Sequence, residues 1–296
     1  MENAFFKAVL AEEAPMYDAA LVSADGIEYW HSPVANNANN SHSATKFFVA
    51  TAIGICRDRG LLSLDTKITS VFDPAELPAN MDAGWHEVTV RDTLMHRTGM
   101  ERIPYGIDED NDIDKIGPDF LKYIFSLEIM HKPGEFRHYS DAAYYLLSRV
   151  VAKVTGMTAD KFMKENIMDP LGFRQWAMAM CPMGHPVSGG GFYTRADDMA
   201  KLGYAFACGG VYNGHRIVSE EWTQLVQHND YACGEHRDTG VFLKTGARGQ
   251  LIGFSPKHKI GVAWHGCAAP DDQVKRNDRL LAGFVAYLEE KEASGN

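Results

Sequence analysis

Several features are missing from this sequence, and each absence narrows what the protein can do. No apolar run approaches the roughly 18 residues that a membrane-spanning helix requires. Basic residues are outnumbered, since there are 29 Lys and Arg but 39 Asp and Glu, which gives a net charge of −10. That charge disfavours anionic partners, so we expect neither nucleic acid nor membrane to be bound. There is no internal repeat or low-complexity tract, and the composition is that of an ordinary globular protein.

Cysteine is sparse as well. The five cysteines are scattered, odd in number and without a C-x-x-C pair, namely Cys56, Cys181, Cys208, Cys233 and Cys267. This usage is typical of free thiols in a reducing compartment. The N-terminal residues, with Glu2 and then Glu12-Glu13, lack the basic segment of a signal peptide. We therefore expect a cytoplasmic protein.

Alternating hydrophobicity and turn signals place strands at both ends of the chain and helices between them. Asp25-Gly26 is a strong hairpin turn, and it joins two alternating stretches, residues 17–23 and 27–31. Three more alternating stretches occupy residues 241–247, 250–255 and 260–265. A terminal amphipathic helix is predicted over residues 272–290. This pattern favours one antiparallel sheet assembled from both chain ends, with a helical region inserted.

The stretch Ser43-Ala44-Thr45-Lys46 is the first candidate for chemistry. A serine hydroxyl is a poor nucleophile until a base removes its proton. Residues three apart on a helix share a face, so Lys46 can place its amine beside the Ser43 oxygen. The predicted helix opens at Ser43, runs to Arg59 and is apolar on nearly every side, which predicts burial. Alone, however, the pattern favours Ser43 as an ordinary helix N-cap.

Two further stretches supply partners for Ser43. Lys244-Thr245-Gly246 lies on a predicted strand, where it can line the edge of a cleft, and Gly246 would let a substrate approach the backbone. Tyr139 opens a predicted helix; flanked by Lys46 and Lys244, its phenol would have a lowered pKa and could act as a base at neutral pH. In isolation, these stretches are more simply explained as a surface strand and a core tyrosine.

An acidic segment offers one alternative chemistry. Asp108, Asp110, Asp112 and Asp114 alternate in the manner of a calcium-binding loop. The sixth loop position is Ile113 rather than glycine, and the twelfth is Asp119 rather than glutamate. These departures favour a solvated loop over a calcium site.

In combination, the three stretches resemble a known superfamily. Ser43-x-x-Lys46, Tyr139-Ser140-Asp141 and Lys244-Thr245-Gly246 match, in order, the S-x-x-K, Y-x-N and K/H-T-G motifs of the class C β-lactamase, D,D-peptidase and esterase superfamily. The connecting text agrees, including RGLLSLD, DTLMHRTGM, KPGEFRHYSDAAYYLLSRVVAKVTG and SPKHKIGVAW. The resemblance runs from about residue 17 to the C-terminus. It implies an α/β fold of the α+β type: a five-stranded antiparallel sheet flanked by helices. Residues 1–65 and 196–296 would form this sheet domain, and residues 66–195 would form an inserted, mostly helical domain.

The resemblance also implies a serine hydrolase that cleaves a small ester or amide through an acyl-enzyme on Ser43. Lys46 and Tyr139 would share the general-base role, and Lys244 would support Tyr139 electrostatically. The backbone N–H groups of Ser43 and Ala247 would form the oxyanion hole. No metal or organic cofactor is implied. The runner-up activities are those of a β-lactamase or a D,D-peptidase, and a catalytically silent ligand-binding protein is the alternative from another class.

Substrate contacts are expected from four residues of these motifs and their surroundings, namely Asp141, Thr245, Gly246 and Arg248. Asp141 departs from the superfamily, where asparagine is usual; an ionised carboxylate only accepts hydrogen bonds and would hold Lys46 charged. Arg248, Arg276 and Arg279 are candidates for binding a substrate carboxylate, and the alternative is that all three are solvated surface arginines. Two other motif placements fail, since His265-Gly266 follows the last strand without a threonine, and Ser140-Asp141-Ala142 departs from S-D-N at its third residue.

Overall fold

The computed structural model describes residues 3–33, 38–100 and 116–294. The helices of this part are α1 Ala4–Leu10, α2 Thr45–Asp58, α3 Val90–Leu94, α4 Phe120–Phe125, α5 Asp141–Thr155, α6 Ala159–Met163, α7 Ala196–Ala207, α8 Glu220–Asn229 and α9 Gln273–Ala293. The strands are β1 Met16–Ser23, β2 Gly26–His31, β3 Asn39–Asn40, β4 Ala177–Met178, β5 Phe192–Thr194, β6 Val211–Tyr212, β7 His215–Arg216, β8 Gly234–Glu235, β9 Phe242–Gly246, β10 Gln250–Ser255 and β11 Ile260–Gly266. The aspartates at positions 108, 110, 112 and 114 lie outside the described residues.

The main sheet is antiparallel and has the strand order β2-β1-β11-β10-β9-β8. Its strands come from the two ends of the chain, as the sequence predicted. Five of them have five to eight residues, and the sixth, β8, adds a two-residue edge. Asp25-Gly26 forms the predicted hairpin, and Gly26 adopts a φ of +123°, which favours glycine.

Side chains of the sheet alternate between two apolar cores. On β1, Ala20 and Val22 face a large core that includes α2, α5 and α7, whereas Ala19 and Leu21 face α1 and α9. On β11, Ala263 likewise faces the large core, and Trp264 faces α1 and α9. Successive side chains of these two strands therefore enter different cores, which is why both strands are buried along nearly their whole length.

Helix α2 lies in the larger core. Every residue from Thr45 to Cys56 is buried, so the prediction of a buried helix is confirmed. Gly54 has a packing role, because a β-carbon there would lie 2.4 Å from the Trp222 ring of α8. The helix ends just before Gly60, whose φ of +69° is suited to a helix C-terminus. No helix in the described ranges has the length and apolarity needed to cross a membrane.

Candidate active site

Ser43 lies in a short 3₁₀ turn, His42–Ala44, that leads directly into α2. The sequence predicted Ser43 as the first residue of the α-helix, and this was wrong by two positions, because α2 begins at Thr45. His42 adopts a left-handed backbone with φ +46°, and its carbonyl accepts a 2.6 Å hydrogen bond from the Thr45 hydroxyl. This geometry sets Ser43 just ahead of the rigid helix that carries Lys46.

Lys46 lies beneath Ser43 and is completely buried. Its Nζ donates to Ser43 Oγ at 3.1 Å, to the Asp141 carboxylate and to the Gly189 carbonyl. Burial lowers the pKa of Lys46, but the charges of Asp141 and Tyr139 raise it, and the net shift is upward. Lys46 is therefore held as an ammonium ion at neutral pH, as predicted from the presence of aspartate at position 141.

Tyr139 stands between two cations. The centroid of its ring is 4.7 Å from Lys46 Nζ and 5.0 Å from Lys244 Nζ. Burial raises the pKa of the Tyr139 phenol, but the charges of Lys46 and Lys244 more than offset this, so the pKa falls below its usual value. For Lys244, burial is the main cause of a lowered pKa, and the charge of Lys46 adds to it. These directions match the prediction and make the phenol the best candidate base.

His96 supports Tyr139 from below and was missed in the sequence. Its ring centroid lies 4.4 Å from that of Tyr139, and its Nδ1 accepts the Ser140 N–H at 3.2 Å. Burial, followed by the charges of Lys46 and Lys244, lowers the pKa of His96 to about 2, so the ring stays neutral and can accept. Its φ of +57° ends α3 in a left-handed turn. The stretch DTLMHRTGM contains this histidine, but its spacing gives no sign that the ring meets Tyr139.

The glycine stretch Gly189-Gly190 packs tightly against the site. Both residues are buried. A β-carbon at Gly189 would lie 2.4 Å from Asp141 Cβ, so only glycine lets Asp141 and the Gly189 carbonyl both reach Lys46. The absence of a side chain here serves packing.

A cavity of about 410 Å³ opens over Ser43. Its lining includes the predicted site residues Tyr139, Lys244, Thr245, Gly246 and Ala247, and it continues along α9 and the β8–β9 hairpin through His236, Leu243, Gln273, Val274, Asn277, Asp278 and Leu281. Ser43 and Ala247 thus face the same space, as an oxyanion hole requires. Glycine at position 246 was predicted to let a substrate approach the backbone. The structure shows another reason for glycine there: a β-carbon would come within 2.4 Å of the Ser41 carbonyl oxygen.

The arginine prediction is not supported. Arg276 is completely buried and donates to the Pro15 carbonyl at 3.0 Å. Arg279 is paired with Glu12 through two 2.8 Å hydrogen bonds. Arg248 has an exposed side chain and is not among the residues that line the cavity, although its backbone N–H donates to Gln273 at 2.8 Å. None of the three lines the cavity over Ser43 in the described structure.

Comparison with known proteins places the chain in a family. The family model described as Beta-lactamase matches residues 35–283, and the protein belongs to that family. A curated relative, "Beta-lactamase-like protein 2" of Dictyostelium discoideum, is 29% identical over 140 residues, which cover 46% of this chain and 25% of that protein. The chain thus matches about a quarter of this relative's length.

Solved structures share the fold over nearly the whole chain. A family VIII carboxylesterase has 17% identity and a TM-score of 0.70, with 95% of each chain covered. A D-stereospecific amidohydrolase from Streptomyces has 17% identity and a TM-score of 0.68, with 94% of this chain and 96% of that chain covered. At these identities the likeness establishes the fold, α+β with an antiparallel sheet, and not the substrate.

Proposed function

We propose that the protein is a serine hydrolase that cleaves a small ester or amide through an acyl-enzyme on Ser43. The observation that carries the proposal is the contact of Lys46 Nζ with Ser43 Oγ at 3.1 Å, beside a tyrosine whose pKa is lowered by two lysines. A serine hydroxyl within hydrogen-bond reach of groups that can take its proton is the arrangement that nucleophilic catalysis requires.

In the proposed mechanism, the Tyr139 phenolate takes the proton of Ser43, directly or through the Lys46 ammonium group. Ser43 Oγ then attacks the substrate carbonyl, and the backbone N–H groups of Ser43 and Ala247 stabilise the oxyanion. Tyr139 returns the proton to the leaving group, and a water molecule later cleaves the acyl-enzyme by the same route. Lys244 keeps the tyrosine acidic throughout, because its charge favours the phenolate.

An ester or amide of modest size is the proposed substrate. The cavity of about 410 Å³ is at the lower end of ligand pockets and has apolar walls from Leu243, Val274 and Leu281. The names of the carboxylesterase and amidohydrolase relatives are in keeping with this class. We propose no nucleic-acid or membrane partner, and a reducing, cytoplasmic setting is favoured by five free cysteines.

A β-lactamase or D,D-peptidase is the second candidate, and Asp141 argues against it. An asparagine at this position can donate to a substrate's side-chain amide, whereas a carboxylate offers acceptors only. In the structure Asp141 accepts from Lys46 and is not among the residues that line the cavity. A missing or opposed hydrogen bond at a buried site costs on the order of 1–3 kcal/mol, or roughly tenfold to hundredfold in rate. A silent binding protein is disfavoured, because the geometry around Ser43 is intact.

The test is a hydrolysis screen over p-nitrophenyl esters, nitrocefin and D-amino-acid amides. We expect turnover of the simple esters, weak or absent turnover of nitrocefin, and no turnover of either by Ser43→Ala. That variant should fold normally, because the Ser43 side chain caps no helix, and Lys46 keeps Asp141 and the Gly189 carbonyl as hydrogen-bond acceptors when the hydroxyl is removed. Equal ester turnover by Ser43→Ala would reject the proposal.

A further inference from the structure

Behind the nucleophile turn, three buried polar side chains form a continuous chain of hydrogen bonds. Asp18 Oδ1 lies 2.8 Å from His265 Nδ1, and His265 Nε2 lies 3.2 Å from Ser41 Oγ. All three residues have 0% of their surface exposed. With the Nδ1 proton donated to Asp18, the Nε2 atom accepts from the Ser41 hydroxyl, so every member has a partner.

The same three groups make a hydrolytic triad elsewhere, but burial excludes that role here. None of them lines the cavity over Ser43, and a substrate carbonyl cannot reach the Ser41 oxygen. Ser41 Oγ is also in contact with Met199 Sδ at 3.2 Å, inside the core. Any effect of these three residues on the reaction must therefore come from the backbone segments that their hydrogen bonds hold in place.

The Asp18 end of this hydrogen-bond chain lies in rigid secondary structure. Asp18 belongs to β1, and its second oxygen accepts the Ala196 N–H at 2.8 Å, at the start of α7. His265 belongs to β11, the neighbour of β1 in the middle of the sheet. The carboxylate therefore ties two central strands to a helix that packs on them.

The Ser41 end of this hydrogen-bond chain fixes the position of the 3₁₀ turn that carries Ser43. The Ser41 N–H donates to the Phe192 carbonyl at 2.8 Å, and the Ser41 carbonyl accepts the Ala44 N–H at 3.0 Å. The same carbonyl occupies the open side of Gly246, at the end of β9. Ser41 thus sets both the turn that presents Ser43 and the spacing between that turn and Ala247.

We propose that Asp18, His265 and Ser41 are positioning residues for catalysis. They hold Ser43 Oγ at the distance from the Ala247 N–H that the tetrahedral intermediate requires. The left-handed backbone of His42, between Ser41 and Ser43, needs such an anchor, because an isolated turn would relax out of this conformation. The inference rests on the proposed function, since it assigns a role in the same reaction.

The test uses Ser41→Ala and His265→Leu, with Ser255→Ala as the matched control. Ser255 belongs to a similar chain at the other end of β10, where its hydroxyl lies 2.8 Å from His258 Nδ1, and His258 Nε2 lies 2.6 Å from Glu292. The control removes a buried hydroxyl from the same kind of chain without touching the nucleophile turn. kcat and KM are measured on a p-nitrophenyl ester, per site counted by fluorophosphonate titration, so that unfolded protein does not contribute.

Because a displacement of about 1 Å in a reacting group can cost about a hundredfold in rate, kcat should fall roughly tenfold to a hundredfold in Ser41→Ala and His265→Leu. KM should change little. Affinity for an arylboronic acid, whose boron accepts an electron pair of Ser43 Oγ and becomes tetrahedral, should fall in proportion to kcat/KM. His265→Gln should have a higher kcat than His265→Leu, because the glutamine amide can make some of the hydrogen bonds of the histidine ring. Ser255→Ala should keep the parent kcat.

Several outcomes would overturn the inference. One is a kcat within about twofold of the parent in Ser41→Ala and His265→Leu. Another is an equal loss in Ser255→Ala, and a third is a loss of kcat with unchanged boronic acid affinity. If Ser41→Ala does not fold, Asp18→Asn is measured in its place, beside His265→Leu, against the same criteria. An inactive parent protein would instead overturn the proposed function, and the inference with it.

Discussion

Replacing Asp141 by asparagine should change the pH dependence of the proposed hydrolysis. The Asp141 carboxylate hydrogen-bonds to the buried Lys46 ammonium group, and its negative charge opposes proton loss from both Lys46 and Tyr139. Asparagine keeps the side-chain shape and an acceptor oxygen but removes the charge. Proton loss from the Lys46–Tyr139 pair then becomes easier, whichever of the two releases it. The acid limb of kcat/KM should therefore move to lower pH.

The size of the shift follows from the geometry. Unit charges 4 Å apart near a protein surface interact by about 4 kcal/mol. At 1.36 kcal/mol per pKa unit, that is about three units. The Asp141 side chain is only 12% exposed, so water screens it weakly, but the remaining acceptors of Lys46 offset part of the loss. We expect a shift of about 1–2 pH units.

The assay is the pH dependence of kcat/KM for a neutral p-nitrophenyl ester, measured on the parent and Asp141→Asn. Asp278→Asn is the matched control, because Asp278 lines the same cavity but is paired with Arg237 at 2.7 Å. It should leave the acid limb within about 0.3 units of the parent, since its charge does not touch the Lys46–Tyr139 pair. An acid limb that stays in place or moves upward in Asp141→Asn would refute the assignment of Lys46 and Tyr139 as the titrating pair.

Three further predictions follow from the same site. Lys46→Ala and Tyr139→Phe should each remove most activity, and the double variant should lose little more, because residues that act as one unit are non-additive; additive losses in log kcat would separate their roles. Lys244→Met should move the acid limb of kcat/KM upward, opposite to Asp141→Asn, because the Lys244 charge lowers the pKa of Tyr139; a downward shift would contradict this. Gly246→Ala should lower stability by about 1–3 kcal/mol and slow turnover, because its β-carbon would meet the Ser41 carbonyl. Gly234→Ala, where the nearest atom lies at an ordinary 3.4 Å, is the control by thermal unfolding, and equal losses would reject the packing account.

Local patterns in the sequence were enough to predict the strands of the main sheet and to single out the candidate site residues. Strand alternation and the Asp25-Gly26 turn depend on near neighbours, so β1, β2 and the three C-terminal strands appear where expected. The Ser43-to-Lys46 spacing is also local, and the two side chains are in contact even though Ser43 lies in a 3₁₀ turn. Tyr139 and Lys244 were only candidates by themselves, and the resemblance to a known superfamily assigned them to the same site as Ser43.

Contacts between distant segments could not be read in this way. Asp18 and His265 meet across 247 positions of the chain, and nothing in either neighbourhood signals the pair. His96 is buried beneath Tyr139 only because a left-handed turn ends α3 there. Arg276 was one of three candidates for a substrate carboxylate, but its helix turns that side toward Pro15, and burial there lowers the pKa of its guanidinium group. Each case depends on packing partners, which composition and spacing do not specify.

The most direct test of the central claim is to identify the acylated residue. The protein is mixed with a slowly hydrolysed p-nitrophenyl ester, quenched in acid, and analysed by intact mass and by fragmentation of the peptide that spans Ser41 and Ser43. We predict one acyl group per chain, carried on Ser43, and none in Ser43→Ala. An acyl group on Ser41 or on any other residue, or full turnover by Ser43→Ala, would contradict the account.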